Sequence, residues 1–431
     1  VRQHLRLDPI SCTVRNLWES SSSSMSVANT DTYEFSDSEF IYQTRPWVDK
    51  EASQLSRFDI ELQKRWNKAM SLGVFRYGID HIVTRVIPGP KRYIGQLNTL
   101  RATERRKPQE ISSVNQPFND KAFSFSWVKS EEILFNLQNV TTSKKSITDD
   151  GVSRETNGTD VQSPHCGQNG NSHDLSSSLG DAIHSQSSTD GEVKPERHTL
   201  IVNVSPMEFG HCLLVPQIDS HRPQVLTQTS IRVAIETMLL SKHRGIRMGF
   251  NSLCAFASVN HLHFHLYYLE QELIVDYFPV HHLGGRYFEF TGLPCPGFAL
   301  QLYGTTVSEM ARQTHRISSY FHENDIAHNI FLCRGSVFSE ERNSMLTTIR
   351  LFIWPRKKFI GQKSADEFNV ACIELGGHLP IKEVEGYYKL TETDVDAIIA
   401  DACLPPEQYK DIRDHVIKMG LEEADKLQRN L

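Results

Sequence analysis

Apolar and polar residues alternate most cleanly in 259–269, where His261, His263 and His265 interleave with Leu262, Phe264 and Leu266. Two is the period of a β-strand, whose successive side chains point to opposite faces. The pattern predicts one strand with three imidazoles on one face and Leu262, Phe264 and Leu266 in a core. Shorter apolar runs predict strands at 81–87, 93–98, 198–204, 211–216 and 254–257. Apolar positions three and four residues apart predict a helix over 55–66, and further helices are expected at 231–241 and 405–428. Pro88-Gly89-Pro90, 205–210 and Gly249-Phe250-Asn251-Ser252 read as turns.

Two segments lack such periodicity. Residues 1–40 are rich in Ser, Thr and Asp, and 141–196 in Ser, Asp, Gly and Asn. Both are expected to be disordered, the second as an insertion on the surface of a compact domain. The plan that follows is one domain over 41–275, interrupted at 141–196, then a second half over 276–431 ending in a helix. The chain begins at Val1, and Met25 follows the serines 20–24, so the first two dozen residues are expected to be upstream translation or a truncated leader.

Charge and cysteine usage narrow the function classes. A net charge of -6 and a pI near 6.4 argue against a general binder of nucleic acid or anionic membrane. No apolar run reaches membrane-span length, and no secretory leader is recognisable. The eight cysteines (12, 166, 212, 254, 295, 333, 372 and 403) are scattered without a C-x-x-C pair, which predicts free thiols and a cytoplasmic protein. The oligomeric state is open, with a homodimer as one expectation.

Three imidazoles on one face call for a shared ligand. A zinc ion suits two histidines at i and i+2, a phosphate chain suits all three, and plain hydrogen-bonded packing is the remaining reading. Gly210, Gly249 and Asn251 favour phosphate, because glycines admit an anion close to backbone and Asn251 adds a neutral donor. No cluster of carboxylates suited to Mg²⁺ is present, so neither metal nor cofactor is expected.

The motif Gly210-His211-Cys212-Leu213-Leu214-Val215-Pro216, a Phe-Asn turn and the alternating histidines resemble the histidine-triad superfamily of nucleotidyl hydrolases and transferases. Further segments resemble its GDP-hexose phosphorylase branch: 73–77, 93–98, 116–119, 203–211, 251–257, 326–329, 354–357 and 374–380. The resemblance covers about residues 50–400 and extends to plant GDP-L-galactose phosphorylases and, more distantly, to galactose-1-phosphate uridylyltransferase. It implies an α+β fold: a histidine-triad-like antiparallel sheet with helices on one face, in a two-part arrangement like that of the uridylyltransferase. It also implies a nucleotidyltransferase, with GDP-D-glucose and inorganic phosphate as substrates and His263 as the nucleophile that becomes guanylylated. The plant and uridylyltransferase relatives carry Gln where this chain has His265, so the local motif alone does not separate phosphorolysis from hydrolysis. The wider resemblance favours phosphorolysis.

Supporting roles are expectations from chemistry. His261 and His265 are expected to donate to α-phosphate oxygens, and Asn251 to do the same or merely cap its turn. His211 either lines the pocket or packs at a strand edge. Gln96, Asn98 and Arg101 are suited to guanine or the diphosphate, as is the basic run to Lys107, although a solvated loop explains the same residues. His328 and His378 are candidates for hexose or phosphate contact, or for holding the fold together. Two other functions remain: a nucleotide-sugar hydrolase using the same histidine, and a guanine-nucleotide-binding regulator without turnover.

Overall fold

The computed structural model describes residues 31–141, 197–342, 344–360 and 368–429. Its strands in chain order are β1 (Thr32–Phe35), β2 (Val83–Val86), β3 (Ile94–Leu97), β4 (Ile133–Asn139), β5 (His198–Val202), β6 (Cys212–Val215), β7 (Ile246–Asn251) and β8 (Phe264–Tyr268). They continue with β9 (His281–Gly284), β10 (Tyr287–Phe290), β11 (Gly297–Gln301), β12 (Ala327–Ser336), β13 (Thr347–Arg356) and β14 (His378–Ile381). The helices are α1 (Arg57–Ser71), α2 (Leu100–Thr103), α3 (Gln228–Leu240), α4 (Val307–Glu323), α5 (Cys372–Leu375), α6 (Val384–Lys389), α7 (Glu392–Asp401) and α8 (Pro406–Arg429).

One sheet of eleven strands runs in the order β1-β4-β5-β6-β8-β7-β12-β13-β11-β10-β9. Every pairing in it is antiparallel except β1 with β4. The two parts of the chain meet at the β7–β12 pair, where Asn251 opposes Asn329. The α+β expectation and the two-part arrangement are therefore what the chain adopts.

Period-two alternation decides which side each residue covers. Phe264, Leu266, Ile330 and Leu332 join one core with Leu62 and Trp66 of α1, Ile235 and Met238 of α3, Met310 and Ile317 of α4, and Ile412 and Val416 of α8. Tyr267, Phe331, Cys333 and Phe352 face the opposite way, into a core shared with β3, β14 and α7. Each fully buried side chain of this kind contributes about 1.5–3 kcal/mol. The sheet is thus covered on both faces, not by helices on one. A small sheet β14-β3-β2 closes the second face, because Ile94, Leu379 and Ile381 need burial too.

Local chemistry fixes the helices in place. Ser56 starts α1 by accepting the Asp59 N–H at 3.1 Å, while its own N–H donates to the Asp59 carboxylate at 2.9 Å. That carboxylate also receives Tyr268 of β8 at 2.8 Å and the Lys242 N–H at 2.9 Å, so the cap pins α1 to the strand carrying His265.

Several sequence expectations shift by a few residues. β1 lies inside the stretch 1–40 that looked unstructured, and its Tyr33 and Phe35 are buried beside Phe135 and Phe58. Residues 1–30 and 142–196 fall outside the described residues. The turn expected at 249–252 is instead the end of β7, and the strand expected at 254–257 is a turn with left-handed backbone at Cys254 (φ 59°) and Phe256 (φ 72°). The two glycines admit neighbouring side chains, not an anion. A β-carbon on Gly249 would stand 2.5 Å from the Cys372 sulfur, and one on Gly210 2.5 Å from the Tyr268 ring. Among the described residues no helix is long and apolar enough to cross a membrane.

Candidate active site

β8 begins only at Phe264, so His261 and His263 stand on the irregular segment leading into it. That segment is held by one buried side chain. Gln224 accepts the His263 N–H at 2.9 Å and donates to the His263 carbonyl at 3.1 Å and to that of Asn251 at 3.0 Å. Such a two-sided clamp fixes where the His263 ring emerges. The ring lies edge-on to Phe125, with centroids 4.9 Å apart, and 5.3 Å from the His265 ring.

The hydrogen bonds assign the tautomers. His263 Nδ1 is 2.7 Å from the His261 carbonyl, which can only accept, so Nδ1 carries the proton and the lone pair sits on Nε2. His211 is fully buried, and its Nδ1 accepts the Met207 N–H at 3.0 Å. Burial, aided by Arg101, holds its pKa well below the ordinary value, so the ring is neutral with its proton on Nε2. That Nε2 has two neighbours, His265 Nδ1 at 3.1 Å and the Asn203 amide nitrogen at 3.3 Å. Only the ring nitrogen can accept. His265 therefore carries its proton on Nε2, as a donor suited to a phosphoryl oxygen. The Trp66 indole donates to the His211 carbonyl at 3.1 Å, tying the relay to α1.

His263 and His265 open onto a cleft that is also lined by the basic run Arg101, Arg105, Arg106 and Lys107. Phe125, Val128, Ile201 and Leu213 form its apolar wall, and Glu132, Asn203 and Ser258 add polar groups. Arg101 donates to the Ser205 carbonyl, and Arg106 lies 3.5 Å from the centre of the Phe123 ring. Burial and the charge of Arg101 pull Arg105 below its ordinary pKa. Arg101 and Arg105, whose like charges act on each other in the same cleft, form a seat for an anion.

The other candidates are placed elsewhere. The His261 ring is enclosed by Phe118, Phe125 and His221, and its Nδ1 accepts the Phe125 N–H at 3.1 Å. Burial first, then His263 and His221, lowers its pKa to about 4, and the ring does not line the cleft. Its contribution is the carbonyl that orients His263. Asn251 is spent on structure: its Oδ1 accepts Asn329 Nδ2 at 2.6 Å and the Cys372 N–H at 2.9 Å. His328 packs between Phe250 and Phe321, and His378 lies beside Tyr267; burial lowers them to about 4 and about 3. Gln96 donates to Glu208 at 2.6 Å and Asn98 to the Pro206 carbonyl at 3.2 Å, so both brace the 205–210 turn from outside the cleft. Of the substrate-binding candidates, only Arg101 lines the cleft itself; His211 sits directly behind His265. Gln224, Phe125 and Glu132 carry no signal in the sequence, where each is an isolated polar or aromatic residue, and Asn203 stands in the 203–211 segment of the resemblance without a role assigned to it. Among the described residues, no three His, Cys, Asp or Glu side chains are grouped to hold a metal ion.

Two family models match most of the chain: "GDPGP1-like, N-terminal domain" over 57–161 and 176–267, and "GDPGP1-like, C-terminal domain" over 271–423. GDP-D-glucose phosphorylase 1 of Danio rerio is 36% identical over 367 residues, covering 84% of this chain and 91% of its own length. The Homo sapiens protein of the same name is 34% identical over 373 residues, covering 85% of each. Among solved structures, yeast Ap4A phosphorylase Apa2 in complex with Ap4A aligns with a TM-score of 0.47 and 13% identity, over 81% of this chain and 99% of that one.

Proposed function

The chain belongs to the GDPGP1-like family of GDP-hexose phosphorylases, and from that premise we propose that it converts GDP-D-glucose and phosphate into GDP and glucose 1-phosphate through a guanylylated His263. The observation that carries the mechanism is the 2.7 Å bond from His263 Nδ1–H to the His261 carbonyl, which puts the nucleophilic lone pair on Nε2, in a cleft lined by cationic side chains. The catalytic groups then belong to the first part of the chain, up to about residue 275.

In the first step, Nε2 of His263 bonds to the α-phosphorus and the bond to the bridging oxygen breaks. The electron pair leaves with glucose 1-phosphate. Charge gathers on the non-bridging oxygens in the transition state, where the proton on His265 Nε2 and the guanidiniums of Arg101 and Arg105 stabilise it. In the second step, an oxygen of inorganic phosphate attacks the same phosphorus, the P–N bond breaks, and GDP forms. Phosphate is already an anionic nucleophile at neutral pH and needs no base, and the arginines that receive the departing phosphate also concentrate the incoming one. A covalent route divides one displacement into two and gives ping-pong kinetics.

The apolar side chains of Phe125, Val128, Ile201 and Leu213, with the Glu132 carboxylate lining the same cleft, suit guanine, whose N1–H and amino group are donors. Six described cysteines, Cys212 to Cys403, are free thiols, as suits the cytoplasm. The test is incubation with GDP-glucose with and without phosphate. GDP plus glucose 1-phosphate, formed only with phosphate, is the expected result. GMP formed regardless of phosphate would make the enzyme a hydrolase.

A further inference from the structure

Beyond the histidine cleft lies a second cavity of about 410 Å³, walled by Ile111, Ala257, Phe256 and Phe359 and edged by Glu110. Arg105 and Lys107 line both spaces, while neither His263 nor His265 reaches the second. Its size falls in the range of small-molecule sites.

In-line displacement sets the direction of each substrate arm. The leaving oxygen departs from the side of the α-phosphorus opposite His263 Nε2, whereas the guanosine oxygen stays in the equatorial plane, at right angles to the line of attack. The leaving group must run away from His263, and the side chains that join the cleft to the second cavity are cationic, Arg105 and Lys107.

We propose that the second cavity binds the hexose of the nucleotide sugar, with Arg105 and Lys107 holding the hexose phosphate between the two spaces. Phe256 and Phe359 stack with centroids 4.5 Å apart and planes 21° from parallel. Phe256 is buried between this stack and Arg356, which lies 5.0 Å over its ring, so it backs Phe359, whose outer face suits the C–H face of a pyranose, and the Glu110 carboxylate can accept from its hydroxyls. Gln109 is excluded as a reader: its amide donates to the Phe123 carbonyl at 2.6 Å and accepts the Asn260 N–H at 2.8 Å. The platform is rigidly set. Phe256 and Cys254 keep left-handed backbone because the Phe359 N–H donates to the Cys254 carbonyl at 2.8 Å and Asn329 donates to that of Ala255 at 2.9 Å.

The inference rests on attack by His263, so its test uses one reaction that involves the hexose and one that does not. Exchange of labelled phosphate into GDP requires only the guanylyl-enzyme and phosphate. Phe359→Ala and Glu110→Gln are each expected to lower kcat/KM for GDP-glucose by about tenfold or more, and to leave the phosphate–GDP exchange within about twofold of wild type. Equal losses in both reactions, loss of exchange alone, or no loss in either would overturn the assignment. Wild-type phosphorolysis without any exchange would instead contradict the covalent intermediate. Titration with glucose 1-phosphate then decides the cavity: a Kd raised about tenfold in both variants supports it, and an unchanged Kd overturns it.

Discussion

Replacing His211 with alanine separates a histidine that acts through another from one that merely packs. In the structure it accepts the Met207 N–H at 3.0 Å and donates to His265 Nδ1 at 3.1 Å, without lining the cleft. Loss of the acceptor strands a buried N–H, which costs about 1–3 kcal/mol of stability, and a small cavity adds to this. Loss of the donor lets His265 take either tautomer. A neutral hydrogen bond of this kind is worth about 0.5–1.5 kcal/mol, so kcat/KM for GDP-glucose should fall by up to about tenfold. Removing His265 itself deletes the donor to the phosphoryl oxygen, at about 10²–10³ in kcat. The double variant should be about as impaired as His265→Ala alone, giving a coupling near 1 kcal/mol. The assay is steady-state phosphorolysis by the four proteins, with urea unfolding to confirm that each is folded. Strictly additive losses would refute the relay and leave His211 as a packing residue.

Other outcomes follow from the same geometry. Arg105→Ala should raise KM for phosphate and for GDP-glucose about tenfold or more, and the difference from wild type should shrink as salt is added in initial-rate assays. Asn251→Ala removes the acceptor for two buried donors and should cost about 2–5 kcal/mol in urea unfolding, with turnover of folded enzyme within about threefold of wild type. Burial raises the Glu208 carboxyl to about 7, above the ordinary 4.5. Between those values the folded protein holds a proton that the unfolded chain has lost, so the contribution of this group to stability falls as pH rises through the window and levels off above about 7, opposite in sign to the contributions of the buried His211, His261, His328 and His378, which grow as pH rises. The urea-unfolding free energy of Glu208→Gln minus that of wild type should therefore rise between pH 5 and 8, the contribution of Glu423, which burial also raises to about 7, being common to both proteins.

Much of the fold was readable because burial and periodicity are local properties. Leu262, Phe264 and Leu266 go to the core as their alternation requires, and β5, β6, α1 and α3 lie within a few residues of their expected positions. Partners, by contrast, are set by tertiary contacts. Asn251 presents the same amide whether it meets a phosphate or the Cys372 N–H, and Gly249 is equally small before an anion or a sulfur atom. His261 keeps the spacing of a ligand, yet the late start of β8 turns its ring into an aromatic enclosure. The strands β1 and β7 were misjudged for a related reason: a short polar-flanked strand is stabilised by its neighbours in the sheet, not by its own residues. Arg101 and the basic run were identifiable by charge, but only the fold shows that they face His263.

The central claim is a covalent intermediate on His263, and trapping it is the most direct test. GDP-glucose labelled in the guanylyl phosphate is mixed with the protein in the absence of phosphate, and digested peptides are examined by mass spectrometry. The account predicts an acid-labile guanylyl group on His263, absent in His263→Ala and chased into GDP when phosphate is added. Turnover to GDP with no adduct on the wild-type protein, or with undiminished rate in His263→Ala, would contradict it.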